Sequence, residues 1–584
     1  MSAVQIATNI EPRELRLGVL LDDRLQERWV LEALNQALDR PGVTLAAVAV
    51  GTGCRRPSLA GRLHRSFDRL DMHMRCQDEK LFAPVDVVSM LRLPALEFTA
   101  EHGKAGWHGW HPDDHGAADL RACGVDLWLC FCGEAPGRQI ASILRGGPHR
   151  AAHDKDVPQG VWGLEIGPGV PAVSPWAGAM EVASRSPITS MTLVNYADQN
   201  EGLLYRTFGA TVRNSARLNR LDCLRKGVGL FGRLLGSLRE DEALDDGLAD
   251  RAMELPAHYP ALPEPTVFAL GRLSWRLLFN VAANQASRFF WRPQWQIAYR
   301  FLDEAHPDRP LERLRYLIPP KDRFWADPFA VEHEGRHFIF FEELPYDTAR
   351  GRIMAVEVHE NGEPGEPQVA LEEDHHLSYP FVFRWQGSLY MLPEGAESGL
   401  LQLYRCEEFP GRWKPCRVLL RNISAYDATL WQAGDRWWMF VNVAEPGASS
   451  SDELHLYWSS SPLGPWIAHP RNPVISDVRH ARCAGPLFTR QGQLYRLSQD
   501  CSVAYGHSVW INRVDVLDEK AYRETAVRRI EPGWRKDVLR IHTLGAAGRL
   551  QVLDYLVNRK QRFQGFAAAL RRPARPRSAL KVSP

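Results

Sequence analysis

The strongest limit on how this chain can fold is a pattern that keeps returning in its second half. It reads "ADPFAVEHEGRHFIFFEE" from residue 326, "SYPFVFRWQGSLYMLPEG" from 378, "YDATLWQAGDRWWMFVNV" from 426 and "CAGPLFTRQGQLYRLSQD" from 483, with a fainter copy, "RIHTLGAAGRLQVLDYL", from 540. Each copy is a small or polar step, an apolar strand, a turn containing glycine, and a second strand. β units recurring every 50 to 58 residues or so predict a propeller whose blades are four-stranded sheets. "RIMAVEVH", "LLQLYRCEE", "ELHLYWSSS" and "SVWINRVDVL" then supply outer strands. Five copies predict five blades over 301–558. Because the first strand of each blade lines the central channel, the five steps should converge on one axial pocket.

The first half reads differently. "LRLGVLL", "DDRLQERWVLEALNQALD" and "VTLAAVAVG" are strand, helix and strand, with Asp22 or Asp23 as N-cap, and "AADLRACG", "VDLWLCFCG" and "APGRQIASILRGG" are helix, strand and helix. Alternation of this kind predicts an open, largely parallel α/β sheet over 13–235, with a ligand expected at the strand ends near Gly133 to Gly137. No G-x-G-x-x-G or P-loop opens any of these helices, so dinucleotide and P-loop chemistry lack sequence support. Residues 236–265 are acidic and then proline-rich, an interdomain linker. Residues 266–300 read as an amphipathic helical connector whose polar stripe runs through Arg272, Arg276, Asn280, Asn284 and Arg288.

With 71 Lys and Arg against 70 Asp and Glu, the net charge of +1 gives no overall case for nucleic acid. The ten cysteines are sparse, and the close pair Cys130 and Cys132 sits in an apolar run, which predicts reduced core thiols. No basic region followed by an apolar segment opens the chain, so a cytoplasmic location is expected, and no stretch is long and apolar enough to span a bilayer as a plain helix. Peripheral membrane contact could come from the 266–291 helix or from the basic tail 559–584, which would attract anionic headgroups. No cofactor and no metal site is expected.

The phrases "FWADPF", "SYPFVF", "MLPEG", "YDATLW", "RWWMF", "SPLGPWIAHPRNPV" and "YRLSQDCSVAYG" resemble the N-terminal domain of plant glucosamine inositolphosphorylceramide transferases. The same half resembles the five-bladed propellers of family 43 glycoside hydrolases and their arabinanase, levansucrase and invertase relatives. The likeness to the hydrolases implies a first-blade Asp as base or nucleophile, a third-blade Asp that tunes proton affinity and orients substrate, and a fourth-blade Glu before Gly-Pro as acid. Asp327 and Asp427 match the first two roles. The third place is Ala484, which can donate nothing, so ordinary hydrolysis is in doubt and a substitute acid is sought in Glu394 or Glu343. Trp325, Tyr379, Arg482, Gln499, Asp500, Tyr505 and His542 are the candidate substrate-binding residues, Arg482 for an anionic group or as the ion-pair partner of an aspartate, and Trp325 as a stacking platform.

The ordering of "GVWGLEIGPG", "ITSMTLVNYADQNEGLLYRTF" and "SARLNRLDCLRKG" resembles the formyltransferase fold. That family polarises a formyl group with His and Asn, and Glu165 and Ile166 stand where the His is wanted, with Asp198 or Glu201 as the aspartate. A degenerate domain is the favoured reading. The whole sequence therefore predicts an α/β unit followed by a five-bladed propeller, in a carbohydrate-active protein of glycan or glycolipid biosynthesis. A non-catalytic carbohydrate-binding adaptor, a glycosidase with a relocated acid and a sugar N-formyltransferase-like activity are the alternatives.

Overall fold

A computed structural model of the protein describes residues 14–52, 80–103, 106–110, 114–132, 134–145, 160–197, 202–237, 290–303, 308–445 and 448–560, with isolated residues between 271 and 279. Most of the expected linker, tail and striped helix, together with Gly133, Asp198 and Glu201, lie outside the described residues. The chain divides into two compact units, with the main boundary between Phe279 and Asn280.

The first unit is built on an eight-stranded sheet. Its order is Gly202–Ala210, Ile188–Asn195, Gly160–Ile166, Leu127–Phe131, Leu15–Leu21, Val43–Thr52, Ala95–Gly103 and Gly106–Trp110. The five central strands run parallel, and Ile188–Asn195 and Gly106–Trp110 pair antiparallel outside them. "LRLGVLL" and "LWLCF" are apolar almost throughout because strands of a parallel sheet bury both faces. The helix Arg28–Leu38 buries Trp29, Val30, Ala33, Leu34 and Ala37 on one face, in the same core as Leu224 and Phe231 of the helix Ala216–Ser237.

Two local expectations change. The helix starts at Arg28 rather than after Asp22 or Asp23, because Leu25–Glu27 is taken up as a short strand beside Pro84–Asp86; the Asp22 carboxylate accepts from the Gln26 side chain and Asp23 from the Leu25 N–H. Gly137 has a packing role. A Cβ there would lie 2.2 Å from the Tyr196 ring, so the glycine lets the helix Glu134–Arg145 pack on that ring. Cys130 and Cys132 are buried free thiols with sulfurs 3.6 Å apart, and burial holds the Cys132 thiol well above its usual range.

The second unit is the five-bladed propeller. Blade one is Arg323–His333, Arg336–Pro345, Arg352–Val358 and Gln368–Leu371; blade two runs from Ser378 to Arg421, blade three from Ala425 to Ala468 and blade four from Phe488 to Ile530, each a four-stranded antiparallel sheet. Blade five is composite. Its strands Val538–Arg540, Leu544–Ala547 and Leu550–Lys560 come from the end of the propeller segment, and Trp291–Phe301 and Arg315–Leu317 come from its beginning. Trp291–Phe301 pairs with Leu550–Lys560 along its whole length and closes the ring. The helical reading of 291–300 is thereby corrected: these residues have a long antiparallel partner in Leu550–Lys560. Among the described residues no helix is long and apolar enough to cross a membrane.

Candidate functional site

The repeated step has a shared backbone geometry. Asp327, Tyr379 and Asp427 all have left-handed φ, at 50°, 46° and 52°, and Gly485 takes φ 128° at the matching place in blade four. At the first three, the strand pairing slips between Ala326 and Phe329, Ser378 and Phe381, and Tyr426 and Thr429. Each step is a bulge. A bulge breaks the regular alternation of side chains and re-aims one of them, and a left-handed conformation at a bulky non-glycine residue such as Tyr379 is held only by its surroundings.

The Asp327 carboxylate is turned inward to blade five. Its Oδ1 accepts from the Thr543 hydroxyl at 2.7 Å and lies 3.2 Å from His542 Nε2. Asp554 braces the arrangement: its carboxylate accepts from the N–H groups of Asp327, His542 and Thr543, and one oxygen lies 2.7 Å from His542 Nδ1. Burial alone would make the imidazole a weaker base, but the two flanking carboxylates outweigh it and push His542 up to about 10. In turn, although burial favours the neutral acid, the His542 charge, its hydrogen bond and that from Thr543 hold Asp327 below the usual carboxylate range.

Asp427 is met by Arg482, Nε to Oδ2 at 2.7 Å and Nη2 to Oδ1 at 3.3 Å, and by the Gln499 amide at 3.3 Å. Arg482 also donates to the Ser450 hydroxyl at 2.9 Å and lies against the rings of Tyr426 and Tyr505, at 5.5 and 5.0 Å. Burial, with the charges of Asp327 and Glu394, drives Asp427 upward against the pull of the guanidinium. Asp327 and Asp427 thus converge on one buried cluster.

A residue that the sequence reading did not single out completes it. Glu342, at 5% exposure, lies across the strand pair from Ala326, next to the Asp327 bulge. Burial and the negative charges of Asp327, Glu394 and Asp427 push its carboxyl well above the ordinary range, only partly offset by His542. Its neighbour Glu343 faces the other way, as successive strand residues must. Glu343 accepts from Trp325 Nε1 at 2.9 Å and from Arg352 at 2.7 Å, and lies 3.2 Å from Arg323. Although burial opposes ionisation, these bonds hold Glu343 low, so it is an ion-pair hub rather than an acid.

Other candidates fall into place one by one. Glu394 is occupied: its oxygens accept from the Ser378 hydroxyl and the Ala396 N–H, both at 2.7 Å, so it caps the turn after its strand while its charge is felt by Glu342 and Asp427. Trp325 is corrected from platform to core, packed with Ile297, Tyr299, Ile339 and Phe341 and hydrogen-bonded to Glu343. Tyr379 is likewise structural. It is fully buried, its hydroxyl lying 2.8 Å from Thr429 Oγ1 and accepting the Gly485 N–H at 2.9 Å, which ties blades two, three and four together.

Gln499 is buried and bridges Asp427 to the Cys483 carbonyl. Asp500 binds Ser502 and Arg529, a blade-corner role. Arg482 is the ion-pair partner of Asp427 and not a free anion hook. Tyr505, part-buried, stacks over Arg482 and near His542, with ring centroids 5.4 Å apart, and Tyr426 joins it as a second part-buried aromatic on the cluster. Ala484 is fully buried. In the first unit, Glu165 accepts from the Gly169 N–H at 3.2 Å across a turn. The described residues include one group able to hold a metal ion, Asp327, His542 and Asp554. With the imidazolium lying between the two carboxylates, both ring nitrogens carry protons and neither has a lone pair free to ligate, so the group does not fit a metal.

Residues 319–537 match the family profile described as "Glucosamine inositolphosphorylceramide transferase 1, N-terminal". This segment of the propeller is similar to that N-terminal domain family. Similar curated proteins include glucosamine inositolphosphorylceramide transferase 1 of Arabidopsis thaliana, 37% identical over 207 residues, which are 35% of this chain and 27% of that protein. The protein of the same name from Oryza sativa subsp. japonica is 38% identical over 208 residues, 35% of this chain and 28% of that one. The matched segment therefore spans little more than a quarter of the length of these relatives. Among solved structures, a family 117 glycoside hydrolase of Zobellia galactanivorans is similar at 11% identity and TM-score 0.30, over 48% of this chain and 99% of that one. The α-L-arabinanase of Cellvibrio cellulosa is similar at 14% identity and TM-score 0.28, over 34% and 77%.

Proposed function

We propose that the axial cluster of the propeller recognises the sugar of a glycolipid headgroup, and that the protein acts in glycan or glycolipid assembly. The observation that carries this reading is the convergence of Asp327, Asp427, Glu342 and His542 beneath two part-buried tyrosines, Tyr426 and Tyr505. Fixed carboxylates accept hydrogen bonds from sugar hydroxyls, and aromatic faces stack on the apolar face of a pyranose ring. The similarity of residues 319–537 to that family supports the choice of ligand, since the similar proteins are named as glucosamine inositolphosphorylceramide transferases.

Asp327 is the residue most open to a ligand in this reading. One of its oxygens is committed to Thr543 and His542, and among the described residues the other accepts no hydrogen bond. The test is a glycan-array and nucleotide-sugar screen on the full chain, followed by calorimetry with the best glycan. Asp327→Ala should weaken binding at least tenfold without unfolding the protein. Equal binding by wild type and variant removes the axial cluster from recognition.

A purely binding role, as an adaptor, is the second reading. It is favoured by Ala484, an apolar buried residue where the resembling hydrolases carry their acid.

A further inference from the structure

We propose that Glu342 is a proton-donating catalytic acid of the axial site, paired with Asp327 as base, and that His376 is its positioning residue. The proposal rests on the sugar-binding reading above. It gives the missing acid a new place, on the second strand of blade one instead of at the start of blade four.

Glu342 packs against His376 and Gly351. The Gly351 N–H donates to His376 Nδ1 at 3.0 Å, so the proton of the neutral ring is carried on Nε2, and Nε2 lies 3.4 Å from Glu342 Oε1. One carboxyl oxygen thus lies beside a backbone-fixed imidazole. Gly351 makes the approach possible: a Cβ there would lie 2.5 Å from the Leu377 carbonyl oxygen, 2.7 Å from His376 Cε1 and 2.9 Å from Glu342 Oε1. Among the described residues no hydrogen-bond donor satisfies the other oxygen of Glu342, in contrast with Glu343 and Glu394.

The groups that face Glu342 come from every side: Asp327 in blade one, His376 after it, Glu394 in blade two, Asp427 in blade three and His542 in blade five. Three negative charges and a dry site keep the Glu342 proton on, while His542 and Thr543 keep Asp327 ionised. Two carboxyl groups whose surroundings drive their proton affinities apart are the arrangement that acid and base catalysis at a glycosidic bond requires.

The step balances with water as co-reactant. Glu342 gives its proton to the glycosidic oxygen as the bond from that oxygen to the anomeric carbon breaks and the electron pair leaves with the oxygen. Asp327 takes a proton from water as the water oxygen bonds to the same carbon. Exchange with solvent returns the proton from Asp327 to Glu342.

The experiment uses the full chain and paired probes, the 4-nitrophenyl and methyl glycosides of glucosamine, N-acetylglucosamine, glucose and mannose, with product release followed by chromatography. A nitrophenolate leaves without help and a methoxide does not. Glu342→Gln should cut methyl glycoside turnover by about a hundredfold or more and keep most turnover of the aryl glycoside, with Glu342→Asp recovering part of the loss. His376→Gln should move the alkaline limb of the kcat profile and leave the acidic limb in place. The proposal is overturned if no glycoside is cleaved although sugar binds, or if Glu342→Gln matches wild type on the methyl glycoside. Failure of sugar to bind at all would instead remove the reading on which it rests.

Discussion

Arg482 grips Asp427 through two nitrogens, at 2.7 and 3.3 Å, with side-chain exposures of 7% and 2%. Neither charge can reach bulk water if its partner is lost. Arg482→Met should therefore destabilise the propeller by about 3–5 kcal/mol, the usual cost of stranding one member of a buried pair. The double variant Arg482→Met, Asp427→Leu should recover much of that loss. Urea denaturation of both variants checks it; equal instability of single and double variants would contradict the account.

The imidazolium between Asp327 and Asp554 predicts an alkaline weakness. The folded His542 value, about 10, lies above the unfolded value of 6.5. Its contribution to stability is therefore complete below pH 6.5 and fades as pH rises towards 10. His542→Gln should be clearly less stable than wild type below pH 6.5, and the gap should narrow towards pH 10. Denaturation midpoints across that window decide it, and a gap that widens with pH would refute the ion-pair assignment.

Tyr379→Phe separates structure from recognition. It removes the hydroxyl that accepts the Gly485 N–H and meets Thr429, leaving buried polar groups unpaired at a cost of about 1–3 kcal/mol. Sugar affinity should not change. A loss of affinity without a loss of stability, read by calorimetry and thermal melting, would return Tyr379 to the binding residues.

Two glycines with left-handed backbone should respond unequally to alanine. At Gly492 a Cβ meets nothing within 4 Å, so Gly492→Ala should cost only the conformational penalty of about 1–2 kcal/mol. At Gly485 a Cβ would lie 2.1 Å from the Leu544 carbonyl oxygen, which is backbone and cannot yield. Gly485→Ala should melt well below Gly492→Ala. Similar melting temperatures would mean that blades four and five can separate at little cost.

The blades were readable because each carries its own strand, turn and strand within one stretch of chain, and the period survives sequence drift. What could not be read was the parity of side chains after each step. In a regular strand Trp325 and Asp327 share a face, and the pairing of the two strands decides which of Glu342 and Glu343 points to the axis. The bulge between Ala326 and Phe329 breaks that rule, sending Trp325 into the packing between blades and bringing Glu342 inward. Local sequence shows a polar step followed by Pro328; it does not show how many residues the bulge absorbs. The ring-closing strand Trp291–Phe301 escaped for another reason. It carries no step, and its partner lies at the far end of the propeller.

That closing pair has a consequence for how the protein comes off the ribosome. Phe301 must wait for Leu550, so roughly 250 residues are made before the first strand of the ring meets its mate. At roughly 5–20 residues per second, this is a delay on the order of 10–50 s. Throughout it, Trp291–Phe301 exposes an unsatisfied edge, open to nascent copies of itself or to a chaperone that masks it.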